Sequence, residues 1–348
     1  MSNRRRALWS APVLTIAAVT AIAAWPGSAS ANPHPDLPAR TPAQLLADVE
    51  HSSVQHFSGT VVETARFGLP SLPGADSAAL SWQTLVTGSH TVRVWVDGAS
   101  KQRIALLAQL SESDVIHNGR DLWTFASDSQ TVGHATLAAQ QRTARKQIAR
   151  STPVGVADEA LQAIDPSTKV SVDLTQRVAG RAAYTLVLTP RDTRSTVSRI
   201  AIAIDAKRKM PLRVQVFGSA TQPAFEIGFS DISFSQPSAK TFAFTAPKGA
   251  TVSKDLFPLL AGRQERQATP GSKSGPDVKT VGDGWTSVLV VKGAGTGMLG
   301  GGEIGKLFTA QPDGSRLLQT ALLNVLVTPD GTVALGAVQP QLLRAAVG

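Results

Sequence analysis

The segment VIHNGRDLWTF, residues 115–125, carries the clearest turn signal in the chain. Two short apolar runs, residues 115–117 and 122–125, flank the dipeptide Asn118-Gly119. Asn-Gly readily adopts the positive φ angles of a tight hairpin turn. The segment therefore predicts two adjacent antiparallel strands.

Most of the remaining chain alternates between strand-like runs and turn residues. The predicted strands cover 57–67, 80–87, 91–96, 103–110, 170–178, 183–189, 198–204, 212–218, 225–229 and 242–244. Ile200, Ile202 and Ile204 alternate with small or polar neighbours, as a sheet with one buried face requires. Gly88-Ser89 predicts a second hairpin turn, between 80–87 and 91–96.

Two helices are predicted among the strands. Thr41 as N-cap, Pro42 at the first helical position and Gln44 form a capping box before a short apolar stripe. Thr152-Pro153 begins the second helix, which ends at Asp165-Pro166. The pattern predicts an α+β fold that is mainly β. We expect a strongly curved antiparallel sheet, an unclosed half-barrel packed around a few helices, with a small C-terminal extension.

The first residues predict an export signal. Arg4, Arg5 and Arg6 precede an uncharged run over 7–24, and Ala29 and Ala31 occupy the −3 and −1 positions of a cleavage site. The alternative is an uncleaved membrane anchor, because the run approaches the ~20 residues that span a bilayer. We therefore expect an exported protein of the cell envelope. The predicted organisation is a signal peptide at 1–31, a main domain at 32–252, a linker at 253–279 and a small α+β extension at 280–348.

Composition restricts the function classes. The absence of cysteine excludes disulfides, thiolate metal sites and a cysteine nucleophile. The formal charge is +9, or +6 without the three signal arginines (9 − 3), which suits contact with anionic membrane surfaces. Scattered basic residues, a single tyrosine and the export signal argue against nucleic acid as a partner.

No motif predicts catalysis, a cofactor or a metal site. Gly295, Gly297 and Gly300 imitate a dinucleotide fingerprint, but no amphipathic helix follows them. Leu307 occupies the Ser/Thr position that a nearby P-loop-like pattern would need. The six histidines are dispersed, and a Ser-His-Asp triad would require proximity that the sequence does not indicate. We expect a protein that is not an enzyme.

Aromatic and aliphatic residues on successive predicted strands provide a candidate binding site. On a curved sheet, alternate positions line the concave side, where they form either ordinary core or an apolar cavity. The candidate lining residues are Trp82, Trp95, Ile104, Leu106, Trp123 and Phe125. Residues 68–77 form either a surface loop or a lid with Leu69 and Leu72 at its tip.

The order of elements resembles a known family over about residues 40–252. The resemblance lies in TPAQLL at 41–46, FSGTV at 57–61, IHNG at 116–119, LWTF at 122–125, VAGR at 178–181, IAID at 202–205, PLRV at 211–214 and FAFTAP at 242–247. This series resembles the LolA-like superfamily of envelope lipoprotein carriers, in its actinobacterial form. It is similar also to the RseB/MucB sensors that regulate an anti-sigma factor.

The resemblance implies an unclosed β-barrel around helices, with an apolar cavity that shelters acyl chains. It implies a carrier whose partners are the acyl chains of lipids or lipoproteins, with a membrane-anchored transporter as a further partner. The alternative that it implies is a signalling protein that binds a membrane-anchored regulatory protein.

Overall fold

The computed structural model describes residues 34–69, 88–108, 111–136, 151–253, 277–292 and 305–348. The predicted signal with Ala29 and Ala31, the strand at 80–87, Leu72, Trp82 and the glycine motif at 295–300 lie outside these residues. Within them, no helix is long and apolar enough to cross a membrane.

Twelve strands form one large curved sheet that does not close into a barrel, which confirms the predicted fold class. The strands are β1 His56–Ala65, β2 Gly88–Asp97, β3 Lys101–Leu107, β4 Glu112–Asn118, β5 Asp121–Ala126, β6 Thr131–Thr136, β7 Thr168–Val178, β8 Arg181–Pro190, β9 Arg199–Asp205, β10 Pro211–Phe217, β11 Phe225–Ser233 and β12 Thr251–Ser253. Their spatial order is β12-β6-β5-β4-β3-β2-β1-β11-β10-β9-β8-β7. Only the short β12 pairs in parallel, with β6, among these described strands.

A second sheet of six strands follows in the chain. Its strands are β13 Asp277–Val281, β14 Val288–Lys292, β15 Thr309–Ala310, β16 Arg316–Gln319, β17 Asn324–Val327 and β18 Val333–Gly336. Their spatial order is β13-β14-β18-β17-β16-β15. Three α-helices occur among the described residues: α1 Pro42–Glu50, α2 Pro153–Gln162 and α3 Pro340–Val347.

The two predicted helices are confirmed together with their caps. In α1 the Thr41 backbone N–H donates to the Gln44 side chain at 2.9 Å, and the Gln44 backbone N–H donates to the Thr41 hydroxyl at 3.2 Å. In α2 the hydroxyl of Thr152 accepts from the backbone of Gly155 at 3.2 Å. These bonds satisfy backbone donors that the first turn of a helix leaves unpaired.

Three local predictions need correction. Gly88 and Ser89 belong to β2, where they pair with Ala65 and Thr64, so no turn lies there. Residues 242–244 are not a strand, because a 3₁₀ helix, Ala239–Phe242, occupies this stretch. In the β4–β5 hairpin the two-residue loop is Gly119-Arg120, with Gly119 at a φ of 63°.

The main core lies on one face of the large sheet, under α1 and α2. Leu45 of α1 and Ala157 of α2 are fully buried against it. Helix α2 packs on β10 and β11, and α1 packs on β7. The helices are short compared with the sheet, and the space that they leave open is where a site can form.

Candidate functional site

An apolar groove of about 640 Å³ lies between α1 and α2 and is open to solvent. Its apolar lining consists of Leu46, Val49, Val54, Phe57, Val154, Leu161, Met210 and Pro211. Its polar lining consists of Glu50, Ser52, Asp158 and Gln162. The volume lies within the range of ~300–1,000 Å³ typical of small-molecule sites.

The side chains of α2 that line the groove lie on one face of the helix. Val154, Asp158 and Leu161 are separated by four and three residues, so they share one face of the helix, and that face borders the groove. The small residues Gly155 and Ala157 are buried and allow the helix to approach the sheet closely. The larger side chains of Val154 and Leu161 therefore face the groove and do not lie between the helix and the sheet.

The floor of the groove is formed by the sheet. Phe57 at the start of β1 is 7% exposed and packs edge-on against Phe229, with ring centroids 5.9 Å apart. Met210, the last residue before β10, and Pro211, the first residue of β10, are also buried. The floor is thus rigid core, while the rim carries polar groups that contact water.

A carboxyl group on the rim is electrostatically perturbed. Burial against the neighbouring apolar surface raises the pKa of Asp158 above its usual value, although part of its side chain remains exposed.

The structure divides the predicted lining residues between the two faces of the large sheet. Ile104 and Leu106 lie in the main core. Trp95 is paired with Arg103, the neighbour of Ile104, and so faces the opposite side. Trp123 and Phe125 lie on that opposite side as well. There the ring centroid of Phe244 lies 5.4 Å from that of Trp123 and 5.9 Å from that of Phe125. None of these five lines the groove.

That opposite face is covered by the chain after β11. Phe242 is 1% exposed, and its 3₁₀ helix packs on β3 and β4. Trp123 also stacks on His134, with ring centroids 3.8 Å apart. The aromatic residues therefore stabilise a second layer of packing. Of the predicted lid, Leu69 is half-buried just beyond β1.

Sequence reasoning missed Glu63, a buried carboxyl on the core face of β1. It is 7% exposed and lies across from His90 on β2 and Ile227 on β11. Burial raises its pKa to about 7. The signal was present, because Glu63 is an even number of residues from Phe57 and Val61 and therefore shares their buried face of the strand.

A second pocket of about 240 Å³ adjoins the groove and is basic. It shares Ser52 and Val54 with the groove. Its lining is His51, Ser52, Ser53, Val54, Gln55, His56, Lys207, Arg208, Lys209 and Phe234. No metal-binding cluster of three or more His, Asp or Glu side chains occurs among the described residues.

Part of the chain matches a known protein family, and several solved structures are similar to it. Residues 84–248 match the family model of the MucB/RseB N-terminal domain. Similar solved structures include the Pseudomonas aeruginosa MucA/MucB complex, at 15% identity over 87% of this chain and 96% of that chain, with a TM-score of 0.45. They also include a LolA superfamily protein from Nitrosomonas europaea, at 11% identity over 59% of this chain and 99% of that chain, with a TM-score of 0.25. No curated protein sequence matches the chain.

The family match, which covers a little less than half of the chain, extends from before β2 to beyond the 3₁₀ helix after β11. It therefore includes helix α2, the basic turn between β9 and β10, and the segment that covers the second face of the sheet. Residues 84–248 are accordingly similar to the MucB/RseB N-terminal domain.

Proposed function

We propose that this chain is a non-catalytic binding protein of the cell envelope that holds an acyl chain in the groove between α1 and α2. The observation that carries the proposal is the groove itself, a space of about 640 Å³ in which eight of the twelve lining residues are apolar. Each methylene group that leaves water for such a surface contributes about 0.8 kcal/mol. A chain of several methylenes would therefore bind without any covalent step.

The location in the envelope is supported by charge and family. The net charge of +9, or +6 without the three signal arginines (9 − 3), favours contact with anionic membrane surfaces. The MucB/RseB and LolA-like proteins that the chain resembles act in the envelope. The predicted export signal at 1–31 is consistent with that location.

The groove can be tested by filling it. Leu161→Trp places an indole in the open space, and Leu174→Trp makes the same change at a leucine that is 66% exposed on β7. A monoacylglycerol with a pyrene-labelled chain is a neutral probe of the groove alone. We expect the Leu161→Trp variant to bind this probe at least about tenfold more weakly, which corresponds to ~1.4 kcal/mol, and the Leu174→Trp variant to bind it normally.

The result is interpretable because the groove is open, so the indole need not disturb the core. Denaturation of each variant with urea would verify that it folds. Unchanged probe binding by a folded Leu161→Trp variant would contradict the proposal. Failure of the unmodified chain to bind the probe would contradict it equally.

A second candidate function is binding to a membrane-anchored regulatory protein. The match to the MucB/RseB domain favours it, and the solved P. aeruginosa protein MucB forms a complex with MucA. The test is capture of an integral membrane protein from the host's own membranes. It must be followed by a dissociation constant for that protein's isolated extracytoplasmic segment. Absence of binding by the isolated segment would contradict this candidate.

A further inference from the structure

The strand β13, Asp277–Val281, is an exposed edge of the small sheet. It pairs with β14 on one side, and none of the described strands pairs with its other side. Its first four residues are exposed, and among them Val278 is 53% exposed. The backbone N–H and C=O groups along such an edge can form hydrogen bonds with a further strand. The strand β13 can therefore accept a partner.

The other edge strands of the two sheets are short or protected. Strands β12 and β15 have only three and two residues. Strand β7 is long, but its register shifts between Asp173 and Gln176. The chain before α1 is bonded to this bulge, because the hydroxyl of Thr175 donates to the carbonyl of Pro35 at 2.7 Å. Bulges and covering segments of this kind prevent pairing with another chain, and β13 has no register shift.

The side chains of β13 carry opposite charges on one face of the sheet. Lys279 lies opposite Val290, so it and Asp277 lie on the face that α3 covers, while Val278 lies on the other face. Asp277 lies opposite Lys292 of β14. Within the part of the chain that the structure describes, neither Asp277 nor Lys279 forms an ion pair. Both charges are thus available to a partner strand.

Two copies of β13 are complementary to each other when they run antiparallel with their Val278 residues opposite each other. This register places Asp277 of each copy opposite Lys279 of the other copy. Residues directly opposite in an antiparallel pair have Cβ atoms about 4.5–5.5 Å apart, so two ion pairs can form on one face. A register centred on Lys279 would bring two lysines together, which is destabilising. The charges therefore favour the register centred on Val278.

The face that carries Val278 adds apolar surface to this contact. Val278 lies opposite Val291 of β14, and Thr280 lies opposite Leu289, which lies opposite Leu335 of β18. Val291, Leu289 and Leu335 are half-buried. Pairing of the two edges would place the valines of both copies side by side and continue this apolar face across the contact. Because each copy contributes the same surface, the contact closes after two copies.

We propose that this protein forms a twofold dimer in which the β13 strands of two copies pair antiparallel, with Val278 at the centre. The inference goes beyond the proposed function and does not depend on it, because the lining of the groove contains no residue of the small sheet. The paired segments are short, so the dimer belongs to the weak, reversible class of interfaces that bury less than ~1,200 Å².

Charge reversal on the full chain tests the pairing. Asp277→Lys places two lysines opposite each other at both ion-pair positions, and Lys279→Asp places two aspartates there. We expect each variant to raise the dissociation constant of the dimer at least about tenfold, because attraction becomes repulsion at both positions. Sedimentation equilibrium at protein concentrations up to about 1 mM, the range that a weak interface requires, measures this constant. Both positions are exposed, so the variants should fold, and urea denaturation verifies it.

An equimolar mixture of the two variants is the most informative sample. The Asp277→Lys chain has lysine at both positions 277 and 279, and the Lys279→Asp chain has aspartate at both. The two ion pairs can therefore form again between unlike chains. We expect the mixture to dimerise more tightly than either variant alone. Lys169→Asp is the matched control, because it makes the same charge change on the exposed side of β7, and it should dimerise like the unmodified chain.

Four outcomes would overturn the inference. In the first, the unmodified chain stays monomeric over the whole concentration range. In the second, the folded charge-reversal variants dimerise as tightly as the unmodified chain. In the third, the mixture dimerises no better than its components. In the fourth, Lys169→Asp weakens the dimer as much as Lys279→Asp does, which would indicate an effect of net charge or a contact through β7.

Discussion

The two sheets of this protein differ in how completely their helices cover them. The small sheet is closed by α3, whose Leu343 is fully buried in a core with Val288, Val290, Leu317, Leu326, Ala334 and Val338. The large sheet carries α1 and α2, and between them the groove of about 640 Å³ stays open. The same kind of packing thus produces a filled core in one region and a ligand-sized space in the other.

Geometry explains the difference. A helix with its side chains is about 10–12 Å wide, and neighbouring strands are about 4.8 Å apart, so one helix covers two or three strands. Helix α3 contacts β14, β17 and β18, which are the central strands of the small sheet. Two short helices cannot cover twelve strands in the same way. We therefore expect changes in the small sheet to affect stability, and changes at the groove to affect binding.

The largest expected effect is at Leu343. Leu343→Ala removes a fully buried side chain and leaves a cavity in the small core, which typically costs about 2–5 kcal/mol. The free energy of unfolding, measured with urea, should fall by that amount, while the affinity for the pyrene-labelled monoacylglycerol stays unchanged. The control is Leu161→Ala in the half-buried groove lining, which should cost less stability and weaken binding. Equal losses of stability in the two variants would contradict the distinction between filled core and groove.

The second prediction concerns charge in the two cores. Among the described residues, the buried polar side chains of the small sheet are the uncharged Ser315, Asn324 and Thr332, whereas the large sheet buries Glu63. Burial raises the pKa of Glu63 from 4.5 to about 7. Between these pH values the folded chain keeps a proton that the unfolded chain has lost. The stability of the protein therefore falls as the pH rises through this window and becomes constant above it.

Glu63→Gln should remove this pH dependence. The amide has nearly the same shape and cannot ionise, so the variant should be more stable than the unmodified chain at pH 8, by up to about 3 kcal/mol. Near pH 4.5 the two proteins should differ little. The measurement is urea denaturation across this pH range. A Glu63→Gln variant whose stability depends on pH as strongly as that of the unmodified chain would show that Glu63 ionises freely in the folded protein.

Local sequence signals predicted the parts of the fold that depend on near neighbours. The capping residues Thr41 and Thr152 start their helices as expected, and the hairpin at 112–126 forms where Gly119 permits a tight turn. Helix α3 was not located within the predicted α+β extension, although Pro340 stands at its first position, because it is only eight residues long.

The site was harder to predict because it depends on strand register and on long-range contacts. Alternation along a strand shows which residues share a face, but only pairing shows which faces match between strands. Trp95 pairs with Arg103, so Ile104 and Leu106 fall on the other side. The groove brings α1 and α2 together from positions more than a hundred residues apart, beyond any local pattern. The run Lys207–Lys209 was visible as a basic turn, but its neighbours at 51–56 were not.

The smallest expected effect concerns the contact that joins the two sheets. The indole N–H of Trp285, just before β14, donates to the hydroxyl of Thr168 at the start of β7 at 2.8 Å. The loop after β8 adds backbone bonds, from Thr196 to Ala337 at 2.9 Å and from Gln339 to Arg194 at 3.0 Å. Trp285→Phe keeps an aromatic ring and removes only the indole bond, which should cost about 1 kcal/mol.

The informative readout for Trp285→Phe is cooperativity. If the filled core and the sheet with the groove unfold as one unit, the variant should shift a single urea transition and leave its slope unchanged. Thr168→Val removes the other partner of the same bond, so the double variant should lose little more than either single variant. Two separate transitions in the unmodified chain would show that each sheet unfolds independently. The backbone hydrogen bonds of the 192–196 loop would then be too weak to couple the unfolding of the small sheet to that of the large sheet.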